Sequence, residues 1–238
     1  MNKIKLTALP CICADVFYGT EIIRPGGEAL NFAAHASHFK DIDVTLLGVV
    51  GKDKYAEAIM DSISKLDIDK NHIRIDERYQ TANNMTYLTE SGDRYYKDDS
   101  WNGEILDNIV LNDNEIKILS RSDVVFVHFW ASCFSQVVEL KETLGFKLAV
   151  DFDVYRDFAD MERFAPHVDF FMISGSEELL PRFKELSNKY RCLFNVSLAE
   201  RGSVTYFNGQ EFKVQAVKVE SIIDTTGCGA VSYTHLTL

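Results

Sequence analysis

Apolar, β-rich segments alternate with amphipathic segments along most of the chain. Several apolar segments are continuous, which is typical of strands buried on both faces of a parallel sheet. The amphipathic segments repeat their apolar residues every three or four positions, as Tyr55, Ile59 and Ile63 do, and this period predicts helices. The pattern predicts strands over 5–17, 44–50, 123–129, 147–152, 168–174 and 192–198, and helices over 28–39, 54–66 and 177–190.

The regular alternation of strands and helices predicts a doubly wound, mostly parallel sheet with helices on both faces. Residues 81–100 depart from it, because an alternating segment, a Ser91-Gly92-Asp93 turn and a second alternating segment follow one another there. That pattern is typical of a β-hairpin with one exposed face. We therefore expect a single α/β domain with a small β appendage outside the main sheet.

The charge balance excludes some classes of partner. The 238 residues carry a net charge of −11 and have a pI near 5.0. Such an acidic surface repels phosphate backbones and anionic lipid, so we expect neither nucleic acid nor a membrane as partner. The apolar N-terminal segment is interrupted by Pro10 and Asp15, which argues against a signal peptide. We expect a cytoplasmic protein.

The cysteines indicate a reducing compartment. There are five of them and no Cys-x-x-Cys pair, so we interpret them as free thiols, with a disulfide framework or a zinc site as the alternatives. Cys11 and Cys13 are two positions apart and share one face of a predicted strand. Two thiols alone are too few ligands for a metal ion.

Two glycine-containing segments suggest sites for a ligand. Asp224-Thr225-Thr226-Gly227-Cys228-Gly229 follows a predicted strand, and small residues at that position direct backbone N–H groups at an anion. Gly26 and Gly27 precede a predicted helix, where paired glycines let a ligand approach the backbone and Asn31 lies in the first turn. Read separately, the first segment is better explained by an ordinary tight turn, and the second is equally compatible with one.

Together, the Gly-Gly-x-Ala-x-Asn and Asp-Thr-Thr-Gly-x-Gly segments resemble, in order and separation, the two signatures of the PfkB/ribokinase family of carbohydrate kinases. The resemblance covers roughly residues 3–229 and implies a ribokinase-like fold, with a β lid from about 17–24 and 84–100. Within the family the sequence is most similar to fructoselysine kinases. The segments that carry this likeness are Asp15 followed by Gly26-Gly27, Gly92-Asp93-Arg94, His128–Ser132, Asp151-Phe152 and Ser174–Glu178.

The resemblance implies a sugar-binding set and a phosphoryl-binding set. Asp15 is implied to accept hydrogen bonds from sugar hydroxyls, and Arg94 to reach the substrate from the lid. The other residues implied to bind substrate are Gly26, Gly27 and Asn31, and those implied to form a catalytic anion hole are Gly227, Cys228 and Gly229. Glu28 departs from the fructoselysine kinases, which usually have Asn there. It either meets an ammonium group of the substrate or faces solvent.

The resemblance also implies ATP and Mg²⁺, and a monovalent cation in many members. Ser174 and Glu177 resemble the family's Asn-x-x-Glu, which positions Mg²⁺ through water, although Ser replaces Asn. Ala199 stands where the nucleotide-binding loop usually has a glycine. The residues implied to bind nucleotide are Ser197, Glu200, Gly202 and Thr225.

The largest departure from the family lies at the C-terminus. The family places an aspartate, the general base, after the second signature, and this chain has Ala230 there. Alanine cannot accept a proton, so we expect the 238-residue chain to be inactive. We interpret residues 230–238 as a non-native tail and the kinase domain, 1–229, as truncated at its C-terminus. A natural pseudokinase is the alternative.

The activity implied is transfer of phosphate from ATP to a sugar hydroxyl, with fructoselysine converted to its 6-phosphate as the first expectation. Another sugar or nucleoside kinase of the family, and a sugar-binding pseudokinase without turnover, remain alternatives. An unrelated dinucleotide-binding protein is disfavoured because no Gly-x-Gly-x-x-Gly follows the first predicted strand. We also expect a homodimer that forms through the β lid.

Overall fold

The computed structural model describes residues 3–89 and 94–217. These residues include sixteen strands and six α-helices. The strands are β1 Ile4–Leu9, β2 Cys13–Phe17, β3 Ile23–Gly26, β4 Ile42–Leu46, β5 Gly48–Val50, β6 Ile68–Asp69, β7 Ile73–Ile75, β8 Asn83–Leu88, β9 Arg94–Tyr95, β10 Trp101–Asn102, β11 Val124–His128, β12 Lys147–Asp151, β13 Phe170–Ser174, β14 Leu193–Ser197, β15 Ser203–Phe207 and β16 Gln210–Val214. The helices are α1 Glu28–Ala36, α2 Lys54–Ile63, α3 Asp113–Leu119, α4 Phe134–Leu144, α5 Phe158–Phe164 and α6 Leu180–Lys189.

The main sheet has nine strands in the order β16-β15-β14-β13-β12-β11-β1-β4-β6. In this order, neighbouring strands between β14 and β6 pair in parallel, whereas β15 pairs antiparallel with both β14 and β16. From β1 the chain builds β4 and β6 on one side and then returns to place β11 on the other. The strand order therefore reverses between β1 and β11, as expected for the doubly wound sheet that the alternating pattern predicts.

Helices cover both faces of this sheet, so its central strands, β1, β11, β12 and β13, each contribute to two hydrophobic clusters. In β11, Val125 and Val127 belong to one cluster, while Val124 and Phe126 belong to the other. The ring of Phe32 in α1 stacks on that of Phe126, with 3.9 Å between centroids. Because both faces of these central strands are buried, their sequences are continuously apolar, as the sequence pattern predicted.

A second sheet lies outside the main sheet and contains the predicted hairpin. Its strand order is β10-β8-β2-β3, and β9 pairs with β8. Strand β2 runs parallel to β8 and antiparallel to β3. Strands β5 and β7 form a separate pair.

Two predicted strands are each divided between two sheets. The predicted strand 5–17 is β1 and β2, separated by a turn at Pro10, whose preceding peptide bond is cis. The predicted strand 44–50 is β4 and β5, because the chain changes direction next to that turn. A Cβ atom on Gly48 would lie 2.6 Å from Ile12 Cδ1 and 2.8 Å from the Pro10 carbonyl oxygen. The two breaks are thus packed on each other, which no local pattern shows.

The predicted helices are present but shorter than predicted. Helix α1 ends at Ala36 and α2 at Ile63, three residues before the predicted ends. Residues 177–179 form a 3₁₀ turn, and α6 then starts at Leu180 because Pro181 is tolerated only in the first turn of a helix. Within 3–89 and 94–217, no helix is long and apolar enough to span a membrane.

Candidate active site

A cavity of about 620 Å³ lies at the carboxyl ends of the parallel strands. Residues of the β1–β2 turn, the start of α1, the second sheet and the ends of β11, β12 and β13 line it. Strand order reverses between β1 and β11, and ligands of open α/β sheets bind where it reverses. The position of the cavity therefore follows from the topology of the sheet.

The last residues of four neighbouring strands form a polar row at this edge. His128 of β11 is in register with Asp151 of β12, and Ser174 of β13 with Ser197 of β14. The first three of these residues line the cavity. The Ser197 hydroxyl lies 3.3 Å from that of Ser174, and so extends the row beyond the cavity.

Asp15 reaches the cavity from the second sheet. It is 7% exposed and lies on β2, with Asn84 of β8 beside it in register. Gly26 lies behind it, and a Cβ atom there would be 3.0 Å from Asp15 Oδ2. The Oδ1 atom of Asn84 is buried and has no hydrogen-bond partner within the described residues. A buried acceptor without a donor is costly, so a ligand hydroxyl or amine is its natural partner.

Gly27 sets the start of α1 against the β1–β2 turn. Its φ of 98° is one that residues with a side chain rarely adopt, and a Cβ atom there would lie 2.5 Å from the Cys11 carbonyl oxygen. That oxygen accepts a hydrogen bond from the Leu30 N–H at 3.3 Å. The close approach brings Asn31, one turn into the helix, to the wall of the cavity.

The cavity is strongly acidic. Among the described residues that line it there is no lysine or arginine. Burial, followed by the negative charge of Glu28, raises the pKa of Asp153. Two exposed indoles, Trp101 at 51% and Trp130 at 57%, also line the cavity. The carboxylates in the lining are Asp15, Glu28, Asp107, Asp151 and Asp153.

Cys11, Glu28 and His128 meet at one wall of the cavity. One potential ligand atom from each lies within 4.8 Å of those of the other two. A hydrogen bond with Cys13, together with burial, raises the pKa of the Cys11 thiol. Burial lowers the pKa of His128. Glu28, which the sequence left as either a substrate contact or a solvated residue, lines the cavity.

Of the residues expected to bind nucleotide and magnesium, Ser174 lines the cavity at the end of β13. Glu177, Ser197, Glu200 and Gly202 lie outside the described lining of the cavity. Ala199 has a φ of 53°, the left-handed conformation that a glycine adopts without strain. The side chain of Glu177 is 65% exposed and lies 3.4 Å from Arg201 Nη1. Glu200 lies in the 3₁₀ turn 199–201, which Gly202 ends at a φ of 89°.

Several expected site residues lie outside the described part of the chain. They are Thr225, Gly227, Cys228, Gly229 and Ala230. Arg94 is the first residue of β9, but its side chain is also outside the described part. The roles expected of these residues therefore stay predictions.

Sequence reasoning missed Asn84, Asp107, Asp153 and both tryptophans as cavity residues. Asn84 lies in an alternating hairpin, and nothing local shows that its side chain faces Asp15. The position of Asp153 is predictable from the sequence, because it closely follows a buried strand, and polar residues there lie at the ligand-binding edge of the sheet. Trp130 likewise lies just after a strand, as the second residue beyond the end of β11.

Solved structures of sugar and nucleoside kinases share this fold. A structure of Arabidopsis thaliana ribokinase complexed with ribose and ATP superposes with a TM-score of 0.81 at 14% identity, over 98% of this chain and 84% of that one. A putative ribokinase II from E. coli in complex with ATP and Mg²⁺ gives 0.75 at 15% identity, over 98% and 84%. Adenosine kinase from Sinorhizobium meliloti gives 0.70 at 16% identity, over 98% and 85%.

No curated protein matches the sequence of this chain. The family model described as pfkB family carbohydrate kinase matches residues 22–229, which is most of the length of this chain. The match includes both glycine-containing segments and the β-hairpin between them. The chain therefore belongs to the pfkB family of carbohydrate kinases.

Proposed function

We propose that this chain derives from a kinase that transfers phosphate from ATP to a sugar carrying an ammonium group, with fructoselysine, converted to its 6-phosphate, as the favoured acceptor. The observation that carries the proposal is the acidic cavity at the switch point of the sheet, where buried Asp15 and Asn84 lie side by side. Membership of the family supports the sugar-kinase chemistry, and the charge of the cavity supports the class of acceptor.

The sugar binds to the polar groups of the second sheet and of α1. A buried carboxylate such as Asp15 accepts hydrogen bonds from two vicinal hydroxyls, and such charge-assisted bonds are roughly twice as strong as neutral ones. Asn84 has a buried acceptor atom in need of a donor, and Asn31 faces the same cavity. These three side chains bind and orient the acceptor, so that its reacting hydroxyl is fixed before transfer.

The remaining carboxylates favour a cationic acceptor. Glu28, Asp107 and Asp153 line the cavity, with no lysine or arginine among the described residues of the lining. An ammonium group about 4 Å from one carboxylate gains about 4 kcal/mol at an effective dielectric constant near 20, before its desolvation is counted. The exposed indoles of Trp101 and Trp130 add faces that attract cations. Fructoselysine carries ammonium groups, whereas ribose and fructose do not.

The nucleotide lies next to the acceptor, along the polar row towards β14. We assign its binding to Ser197, Glu200 and Gly202 with Thr225, and stabilisation of the transferred phosphoryl group to the backbone of Gly227, Cys228 and Gly229. Magnesium supplies charge neutralisation of the phosphates. The exposed carboxylate of Glu177 fits a hydrated magnesium ion, which it would hold through water. A monovalent cation belongs to the same proposal.

Ala230 favours a second candidate function, a sugar-binding protein without turnover. The family's base position holds a residue that accepts no proton, while Asp15, Asn31 and Asn84 keep their places in the cavity. Proton transfer to a positioned base contributes about 10²–10⁴-fold to such reactions. We therefore expect the 238-residue chain to bind sugar and to show negligible phosphorylation.

The test compares the 238-residue chain with a variant in which a family-like segment beginning with Asp replaces residues 230–238. Coupled ADP release is measured with fructoselysine, fructose, ribose and adenosine. We expect turnover only in the variant and the highest kcat/KM with fructoselysine. In that variant Asp15→Asn should lower kcat/KM at least 10-fold, whereas Asp41→Asn, an exposed site between α1 and β4, should not. Turnover by the unmodified chain would refute the role of position 230, and a preference for ribose would refute the cationic acceptor.

Binding separates the two candidate functions. Isothermal titration of the 238-residue chain with fructoselysine and with ribose measures affinity without requiring transfer. Affinity for fructoselysine, together with no turnover after replacement of residues 230–238, would favour the binding protein. Absence of affinity for every sugar would refute both.

The outer part of the second sheet supports a homodimer as part of the same proposal. Several large apolar side chains are exposed there, and contiguous exposed apolar surface is typical of interfaces. Light scattering coupled to gel filtration should give twice the mass of the chain. The exposed residues are Tyr18, Ile22, Leu88, Tyr95 and Tyr96.

A further inference from the structure

Three elements bring metal-binding side chains to one point of the cavity wall. Cys11 lies in the turn after β1, Glu28 is the first residue of α1, and His128 is the last residue of β11. Their potential ligand atoms all lie within 4.8 Å of one another. Cys13 is hydrogen-bonded to Cys11 and lines the same cavity. We propose that Cys11, Glu28 and His128 bind a thiophilic divalent cation such as Zn²⁺.

The distances suit an ion of this size. Ligand atoms about 2.0–2.3 Å from a tetrahedral zinc ion are about 3.3–3.8 Å apart. Side chains whose ligand atoms lie within 4.8 Å of one another reach that spacing by moving about 1 Å or less, which rotation about side-chain bonds provides. The backbone beneath them is held in place. The Cys11 carbonyl oxygen accepts the Leu30 N–H at 3.3 Å, and Gly27 packs directly on Cys11.

A second observation points to a ligand at this wall. The Nδ1 atom of His128 is buried and has no hydrogen-bond partner within the described residues. Buried ring nitrogens are nearly always paired with protein, water or a metal ion, because an unpaired one loses its hydration without compensation. The carboxylates that line the cavity also make it attractive to any cation.

The donor atoms select the kind of metal. Thiolate sulfur and imidazole nitrogen suit zinc, cobalt and related transition metals, whereas magnesium and calcium prefer oxygen ligands. The site is therefore distinct in chemistry from a magnesium site near the nucleotide. Cys11 and Cys13 alone are too few ligands for a metal ion. The fold brings the carboxylate of Glu28 and the imidazole of His128 next to Cys11.

Cobalt(II) is the probe that tests the site. The 238-residue chain, reduced and freed of metal, is titrated with Co²⁺ without nucleotide or sugar. We expect one equivalent to produce a thiolate-to-cobalt charge-transfer band in the near ultraviolet together with intense visible bands of a tetrahedral ion, and Zn²⁺ to abolish both. Failure of the wild-type chain to give a thiolate band would overturn the proposal, and this outcome depends on no variant.

Matched variants identify the ligands. Cys11→Ser should remove the charge-transfer band or weaken it severely, and Glu28→Gln should raise the Kd for cobalt at least 10-fold. Cys192→Ala changes a buried thiol at the start of β14 that does not line the cavity, and should leave the spectrum unchanged. Circular dichroism of each variant checks its fold. An unchanged spectrum in folded Cys11→Ser, or its loss in folded Cys192→Ala, would refute the assignment.

Discussion

Replacement of Gly27 by alanine tests whether the β1–β2 turn and the start of α1 are held together as the structure shows. The new Cβ atom would lie 2.5 Å from the Cys11 carbonyl oxygen and 2.9 Å from the carbonyl carbon. These are backbone atoms, so no side-chain rotation relieves the contact. The φ of 98° and ψ of 139° at this residue also lie in a region that residues with a Cβ atom avoid.

The magnitude follows from three contributions. Backbone strain at such a residue costs about 1–3 kcal/mol. Separation of Cys11 from α1 weakens the Leu30 hydrogen bond, a loss of about 1 kcal/mol. The lower conformational entropy of the unfolded alanine variant offsets about 0.4–1 kcal/mol. We expect the free energy of unfolding to fall by about 1–3.5 kcal/mol, a substantial share of the roughly 5–15 kcal/mol typical of a domain.

Gly145→Ala is the matched control. Gly145 follows α4 with a φ of 79°, and a Cβ atom there would meet nothing within 4 Å. Only the left-handed conformation is penalised, so its cost should be about 1 kcal/mol or less after the entropic offset. Urea unfolding of both variants and the wild-type chain, followed by far-ultraviolet circular dichroism at 25 °C, gives the comparison. If Gly27→Ala costs no more than Gly145→Ala, the close contact with Cys11 is wrong.

Three further changes separate effects on function from effects on stability. In the chain that carries the replaced C-terminal segment, Gly26→Ala should weaken acceptor binding about 10-fold with little loss of stability. The reason is that its Cβ atom would press on Asp15 Oδ2 at 3.0 Å. An unchanged KM would contradict this prediction. Desolvation opposes ionisation of Asp53, but hydrogen bonds from Thr81 and from the start of α2 outweigh it and lower its pKa below 3.8. The stability contributed by this carboxylate is therefore present above pH 3.8 and is lost as the pH falls through the lower pKa of the folded state. The free energy of unfolding of Asp53→Asn should therefore depend less steeply on pH in that acid range than that of the wild-type chain. Ala199→Gly should raise the free energy of unfolding by up to about 1 kcal/mol, since strain at a φ of 53° is removed, and a destabilised variant would show that this turn is not strained.

The sequence by itself determined the class of fold and the family. Continuous apolar segments and the 3.6-residue period depend only on neighbours in the chain, and they predicted the alternation of strands and helices that the main sheet shows. The two glycine-containing segments predicted the family, because their residues and separation are specific. Asp15 and Asn31 were predicted from that likeness, and both line the cavity.

Tertiary structure decided where strands divide and which side chains meet. Nothing in the apolar segment 5–17 shows that its halves enter different sheets, because the break depends on Gly48 packing against the Pro10–Ile12 turn. Asn84 lies beside Asp15 only through the pairing of β2 with β8, whose residues are far apart in the chain. Cys11, Glu28 and His128 likewise meet because the strand order reverses between β1 and β11. Contacts of this kind depend on how elements that are far apart in the sequence pack on one another, and local sequence patterns carry no information about that packing.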